Sequence, residues 1–369
     1  MRKATSALSS ALRPRTLSQR GFHLSAEQNA EQLAIDDDEA PTRLVKSFEI
    51  ERIDRNIYRS NQLLRGLKGR DAVYGGQVIG QSLRAAQDTV EEEKAPHSMH
   101  CYFLKTGSVN KPIVYLVDRV REGRTFCTRI VKAVQDGENL FTASLSFQKK
   151  ETGGMRHQRC MPAVPPPDKL LSYRQLIMKA LENESLRSRM TPHQQFMLEF
   201  KLETTPPTFH RVYEHRPVDQ DIFDFSHDKK LTTHRMWIRS VVPHGHNPAL
   251  QRQLAAYISD SSIIETALYP HISRGFIPSM VFSLDHAVWF HKADFTLDDW
   301  CLWEVQADVA GECRTFGSSR LYTAGGQLVL TAVQEGLVRP LDKGKESILE
   351  VEQEERRCAG KDAWGSTQG

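Results

Sequence analysis

The stretches 48–148 and 208–340 spell one order of elements twice, and this internal repeat limits the possible folds of the chain more than any other feature. In the first copy Tyr74-Gly75-Gly76-Gln77 opens the run VIGQSLRAAQDTV, whose apolar positions suit a helix packed on a sheet. Strand-like runs follow: HSMHCYFL, PIVYLVDRV and the hairpin FCTRIVKAVQDGENLFTASLSFQ, with Asp136-Gly137 as its turn. In the second copy HRMWIRSVV precedes a helix around 250–268. SMVFSLDHAVWFH, DDWCLWEVQADVA and the hairpin CRTFGSSRLYTAGGQLVLTAVQE come next. Residue matches accompany the order: Arg124-Thr125-Phe126 with Arg314-Thr315-Phe316, Tyr102-Phe103 with Trp289-Phe290, and Phe147-Gln148 with Val333-Gln334. The pattern predicts an α+β chain with one long helix backed by a curved antiparallel sheet, twice over. Joining the two sheets edge to edge would hide the edge strands.

This reading divides the chain into a basic leader (1–26), a flexible polar segment (27–47), two repeat domains (48–150 and 208–340), a linker carrying its own helices (151–207) and a polar tail (341–369). The linker announces itself by the proline break MPAVPPPD, then by the helical run SYRQLIMKALENESLRSRM. Residues 1–26 hold Arg2, Lys3, Arg13, Arg15 and Arg20 with no acid before Glu27. They lack an apolar core, which suits a mitochondrial transit peptide better than a secretory signal. Matrix targeting is therefore expected, with a peroxisomal or cytoplasmic location as the alternative; Ser366-Thr367-Gln368-Gly369 does not form an SKL-type peroxisomal signal.

A formal charge of +3 is too small to argue for nucleic acid, and no apolar run approaches the ~20 residues of a membrane helix. Cys101, Cys127, Cys160, Cys301, Cys313 and Cys358 form no CxxC pair, so reduced thiols are expected rather than a disulfide framework or a zinc site. There is no GxSxG elbow, no HExxH, no P-loop and no GxGxxG opening a helix. No metal and no cofactor are expected.

Three polar residues stand inside otherwise apolar elements. Asp260 has Ala256, Tyr257, Ile263, Ile264 and Ala267 as its helical neighbours, which places a carboxylate in an apolar stripe. Gln334 shares a strand face with Leu328, Leu330 and Ala332, where a buried amide needs partners. Strand alternation groups Ser283 with Asp285, Ala287, Trp289 and His291, opposite Phe282, Leu284, His286 and Val288. Asp285 and His286 therefore point apart and cannot form a dyad. Each of the three also fits a structural role, but buried polar groups cost free energy unless paired, so three on separate elements suggest one assembled site. Gly75-Gly76 reads as close helix–sheet packing, with backbone amides that could face an oxyanion. Arg124, Arg129 and Arg314 are candidate phosphate contacts.

The segments YGGQVIGQSL (74–83), HSMHCYFLKTG (97–107), EHRPVD (214–219), HRMWIRS (234–240), YISDSSII (257–264), SLDHAVWFH (283–291) and TAVQEGLVR (331–339) resemble the acyl-CoA thioesterase II family. The resemblance implies a double hotdog fold and hydrolysis of fatty acyl-CoA by a positioned water. An Asp, a Thr or Ser, and a Gln hold that water in the family; here they fall on Asp260, Ser283 and Gln334. Expected partners are acyl-CoA as substrate and further copies of the chain, as a dimer or higher oligomer. Two other readings stay open: a hotdog hydratase or dehydratase, which would need a His paired with an acid, and a non-catalytic acyl-CoA-binding protein.

Overall fold

The computed structural model describes residues 40–66, 71–204, 212–225, 232–241 and 243–342. The expected leader (1–26) and most of the polar tail (343–369) lie outside the described residues. The expected flexible segment 27–47 differs from the structure at its end, where Ala40–Ser47 forms helix α1. Leu44 of that helix is fully buried, and the carbonyl of Ser47 accepts from Gln77 at 3.2 Å and from Gln81. One well-placed leucine and a capped end outweigh the polar composition.

Six strands per repeat build one antiparallel sheet. The first repeat gives β1 (Ile50–Asp54), β2 (Ile57–Ser60), β3 (Lys94–Phe103), β4 (Val114–Arg121), β5 (Phe126–Gln135) and β6 (Glu138–Lys149). The second gives β7 (Tyr213–Pro217), β8 (Thr233–Ser240), β9 (Pro278–Phe290), β10 (Cys301–Gly311), β11 (Arg314–Thr323) and β12 (Leu328–Pro340). The order β1-β2-β4-β5-β6-β3-β9-β12-β11-β10-β8-β7 reads the same repeat outward from a central seam. The seam is β3 against β9, in register from Ser98↔Trp289 to Tyr102↔Asp285. Each repeat thereby satisfies the other's edge. Asp136 and Gly137 both take positive φ (52° and 80°) and close the β5–β6 hairpin, as their sequence predicts. Glu312 and Cys313 close β10–β11 in the same way with no glycine at either turn position, Gly311 standing just before them.

Helix α2 (Gly75–Gln87) lies in the concave face of the first half-sheet. Three short helices of the connecting segment follow: α3 (Tyr173–Glu182), α4 (Glu184–Arg187) and α5 (Pro192–Thr204). Ser172 and Gln175 cap α3 reciprocally. The second repeat's helix is broken in two, α6 (Pro248–Ser259) and α7 (Ile263–Ile272). α2 and α6 pack antiparallel at the centre of the larger core, so the start of each lies beside the end of the other. A second apolar cluster joins α3 and α5 to α7 through Tyr173, Ile177, Leu198 and Leu268. The proline run crosses the outer face of the sheet, where Trp237 Nε1 donates to the Pro165 carbonyl at 2.8 Å. All five described cysteines are unpaired.

The registers also correct the residue matches within the repeat. Matched β-bulges occur at three places: Arg119/Arg121 with Ala307/Val309, Ala133/Val134 with Leu321/Tyr322, and Pro96/Ser98 with Ser283/Asp285. All three make Leu145, not Gln148, the counterpart of Gln334, and Pro96 the counterpart of Ser283. Tyr102-Phe103 and Trp289-Phe290 do correspond under this register, whereas the two Arg-Thr-Phe triplets are offset by two residues.

Candidate active site

Asp260 does not sit on the face of a continuous helix. α6 ends at Ser259, Asp260 is its C-cap (φ −81°, ψ −1°), and α7 restarts after Ser262. Asp, Ser and Ser compete for backbone hydrogen bonds and favour helix ends, so three in a row break the element. The break turns the carboxylate toward β9 and β12. Its neighbours Ala256, Tyr257, Ile263 and Ala267 are buried as the stripe predicts.

Ser283 reaches the same point by a different irregularity. Glu335 pairs with Asp285 and Gly336 with Ser283, leaving Leu284 as the extra residue of a β-bulge. A bulge reverses the alternation beyond it, so Ser283 joins His286 on the inward face instead of sharing a face with Asp285. Gln334 lies opposite His286 on β12 and is fully buried.

The three side chains converge. Ser283 Oγ donates to Asp260 Oδ1 at 3.1 Å, and Gln334 Nε2 donates to the same oxygen at 2.5 Å and to Ser283 Oγ at 2.8 Å. Gln334 Oε1 is buried and has no hydrogen-bond partner among the described residues. Burial pushes the Asp260 carboxyl up to about 7, against the lowering effect of the bonds from Ser283, Gln334 and the Gly76 amide. Desolvation wins over three donors.

The fourth contributor comes from the other repeat. Gly75 and Gly76 start α2, and the Gly76 N–H faces the Asp260 carboxylate and favours its charged form. A Cβ on Gly75 would stand 2.7 Å from Asp260 Oδ2; one on Gly76 would stand 2.3 Å from the Tyr257 carbonyl oxygen. Gly76 is therefore demanded by helix-to-helix contact across the repeats, and Gly75 both by that contact and by the expected helix–sheet packing, since its Cβ would also stand 2.9 Å from the Phe103 ring of β3. Tyr74 Oη extends that contact by donating to the Tyr257 carbonyl at 3.3 Å. The YGGQ run was the available signal, but the partner of its Tyr74 lies 183 residues away along the chain.

Other candidates fall away from the site. His286 is buried beside Ser259 Oγ (2.8 Å), and burial lowers its pKa to about 3. Asp285 points to the opposite face and accepts from the Glu335 amide at 3.2 Å. Arg129 is buried and clamps Thr89 and Glu122 (both 2.7 Å), while Arg314 is held by Glu335 and Glu312. Among the described residues no group of three His, Cys, Asp or Glu could hold a metal ion. No described helix is long and apolar enough to cross a membrane.

This architecture is that of the hotdog-fold thioester hydrolases. An acyl-CoA thioesterase N-terminal domain model matches residues 66–148, and the C-terminal domain model of the same family matches residues 185–338. The chain belongs to the acyl-CoA thioesterase family. It is 34% identical over 309 residues to acyl-coenzyme A thioesterase 8 of Rattus norvegicus, spanning 82% of this chain and 90% of the relative. The peroxisomal acyl-coenzyme A thioester hydrolase 1 of Saccharomyces cerevisiae is 24% identical over 337 residues, with 81% and 95% spanned. Among solved structures, an acyl-CoA thioesterase II from Mycobacterium marinum superimposes with a TM-score of 0.63 at 32% identity, covering 82% of this chain and all of that one.

Proposed function

We propose that this thioester hydrolase cleaves fatty acyl-CoA with a water activated by Asp260, Ser283 and Gln334. The observation that carries the reading is the convergence of two donors on one oxygen of a carboxylate whose pKa stands at about 7. A base poised near the working pH is half ionised yet basic enough to take a proton from water. Ser283 and Gln334 fix the carboxylate, and the open acceptor Gln334 Oε1 can hold the second proton of the same water. That water attacks the thioester carbonyl: a C–O bond forms, the C–S bond breaks, and Asp260 returns its proton to the departing CoA thiolate. The positive end of α2 faces the charge that builds on the carbonyl oxygen. No acyl-enzyme is needed.

Replacing Asp260 by Ala is expected to lower kcat by ~10²-fold or more without unfolding the protein, on the scale of a lost general base. Thiol release from acyl-CoA measures it, and near-wild-type hydrolysis would overturn the assignment. A hydratase mechanism is not favoured, because His286 faces Ser259 rather than an acid.

The basic, acid-free residues 1–26 support delivery to the mitochondrial matrix; the yeast relative, peroxisomal by name, supports the competing address. A C-terminal fluorescent fusion should enter mitochondria only while residues 1–26 are present. Peroxisomal signal from both forms would reject the matrix reading.

A further inference from the structure

The antiparallel helix pair has two ends, and the Asp260 site occupies only one. At the other, α2 finishes and α6 begins, and a cleft of about 1330 Å³ opens between the repeats. Its parts match those of the Asp260 site one for one. Asp88 caps the C-terminus of α2 (φ −65°, ψ −9°) as Asp260 caps α6. Pro248-Ala249 start α6 where Gly75-Gly76 start α2, and Phe290 lines the cleft where Phe103 touches Gly75. Pro96 stands where the bulge register puts Ser283.

The chemistry of hydrolysis is missing here. Proline and leucine occupy the places of the Ser283 hydroxyl and the Gln334 amide, so no side-chain donor from those positions can hold the acid. At the start of α6 Asn247 takes the Leu250 amide as a side-chain cap. Asp88 is exposed and paired with Arg84 at 2.8 Å.

The means to bind remain. Lys149 pairs with Glu93 and Lys150 with Asp294. Acids and bases line the cleft in equal number, but Arg156, Arg252 and Lys292 have no carboxylate in salt-bridge range among the described residues, Asp294 acting on Arg252 only through space. Arg252 is 7% exposed, with its Nη1 on the Ala293 carbonyl at 2.7 Å. Val90, Pro96, Ala249 and Phe290 supply the apolar part. Arginine and lysine side chains free of close ion pairs, set beside an apolar wall, suit a ligand with phosphates at one end and a hydrocarbon at the other.

We infer that this cleft binds a second CoA thioester, which it holds without hydrolysing. The inference rests on the acyl-CoA reading of the Asp260 site, whose chemistry it borrows by pseudo-symmetry. Titrating the full-length Asp260→Asn protein with S-decyl-CoA, a thioether that cannot be hydrolysed, tests it by calorimetry. About two molecules should bind per chain, and Arg156→Glu/Lys292→Glu in the same background should leave about one. In the otherwise wild-type enzyme that double variant should keep kcat/KM within about twofold. One bound molecule per chain before the double change, or a second that ignores it, overturns the proposal. Thiol release by Asp260→Asn is read separately: hydrolysis at the wild-type rate would reject the role of Asp260 and leave the count in the cleft intact.

Discussion

The two ends of the α2–α6 pair are built on one plan and differ in a handful of side chains. At one end Asp260 is half-buried and held by a hydroxyl and an amide, with a backbone N–H of the opposite repeat facing it. At the other, Asp88 is exposed and neutralised by Arg84. Both acids cap a helix C-terminus, where the helix dipole disfavours negative charge. The difference therefore lies in what surrounds the carboxyl. Two glycines let one helix end approach closely enough to half-bury Asp260 and face a backbone N–H toward it. Pro248 and Ala249 keep the equivalent approach open at the Asp88 end, which leaves a cleft in place of a contact.

The glycines are the place to break the comparison most severely. In Gly76→Ala the new methyl would lie 2.3 Å from the Tyr257 carbonyl, a backbone atom that cannot rotate away. The helices must part, and the Asp260 carboxylate moves with them. Misplacement of a reacting group by about an ångström costs on the order of 10²-fold in rate, so kcat/KM is expected to fall by that much. The matched change Ala249→Gly, at the start of α6, should leave kcat within about twofold. Steady-state hydrolysis of a medium-chain acyl-CoA measures both, and equal effects at the two ends would show that the contact does not serve the chemistry.

Much of this difference was legible in the sequence, and the remainder was hidden for physical reasons. The repeat predicts the mirrored sheet because strand alternation and helix periodicity are local signals. Asp260, Ser283 and Gln334 stand out because polar side chains in apolar elements need partners, and the structure joins all three. How they meet was not legible. The helix break at Asp260-Ser261-Ser262 and the bulge at Leu284 are irregularities of one or two residues, and each defeats a periodicity argument carried through it. Strict alternation would turn Ser283 away from the site that the bulge turns it toward. The Gly75–Asp260 contact is invisible for another reason: it joins distant residues and carries no pattern of its own. The helix α1 was obscured by the acids before it, since its burial depends on Leu44 meeting a core made elsewhere.

A smaller effect separates the two acids by their titration. The Asp260 pKa is raised from 3.8 to about 7 by burial, so the folded state takes up a proton between those values that the unfolded chain does not hold. Stability contributed by this group accordingly falls as pH rises from about 4 to about 7, and the penalty is complete above that window. A shift of this size corresponds to a few kcal/mol, at about 1.4 kcal/mol per unit. Asp260→Asn removes the charge and keeps the acceptor, so its melting temperature should exceed that of the wild type by several degrees at pH 8. The gap should narrow toward pH 4, while hydrolysis is lost throughout. The acid limb of kcat/KM in the wild type should have its midpoint at about 7. Asp88→Asn offers the contrast, because it loses only an exposed i,i+4 pair worth roughly 0–0.5 kcal/mol. Its melting temperature should follow the wild type at both pH values. A stabilised Asp88→Asn, or an Asp260→Asn that melts below the wild type at pH 8, would mean that burial does not distinguish the two carboxylates, and the ends would then differ only in the donors they offer.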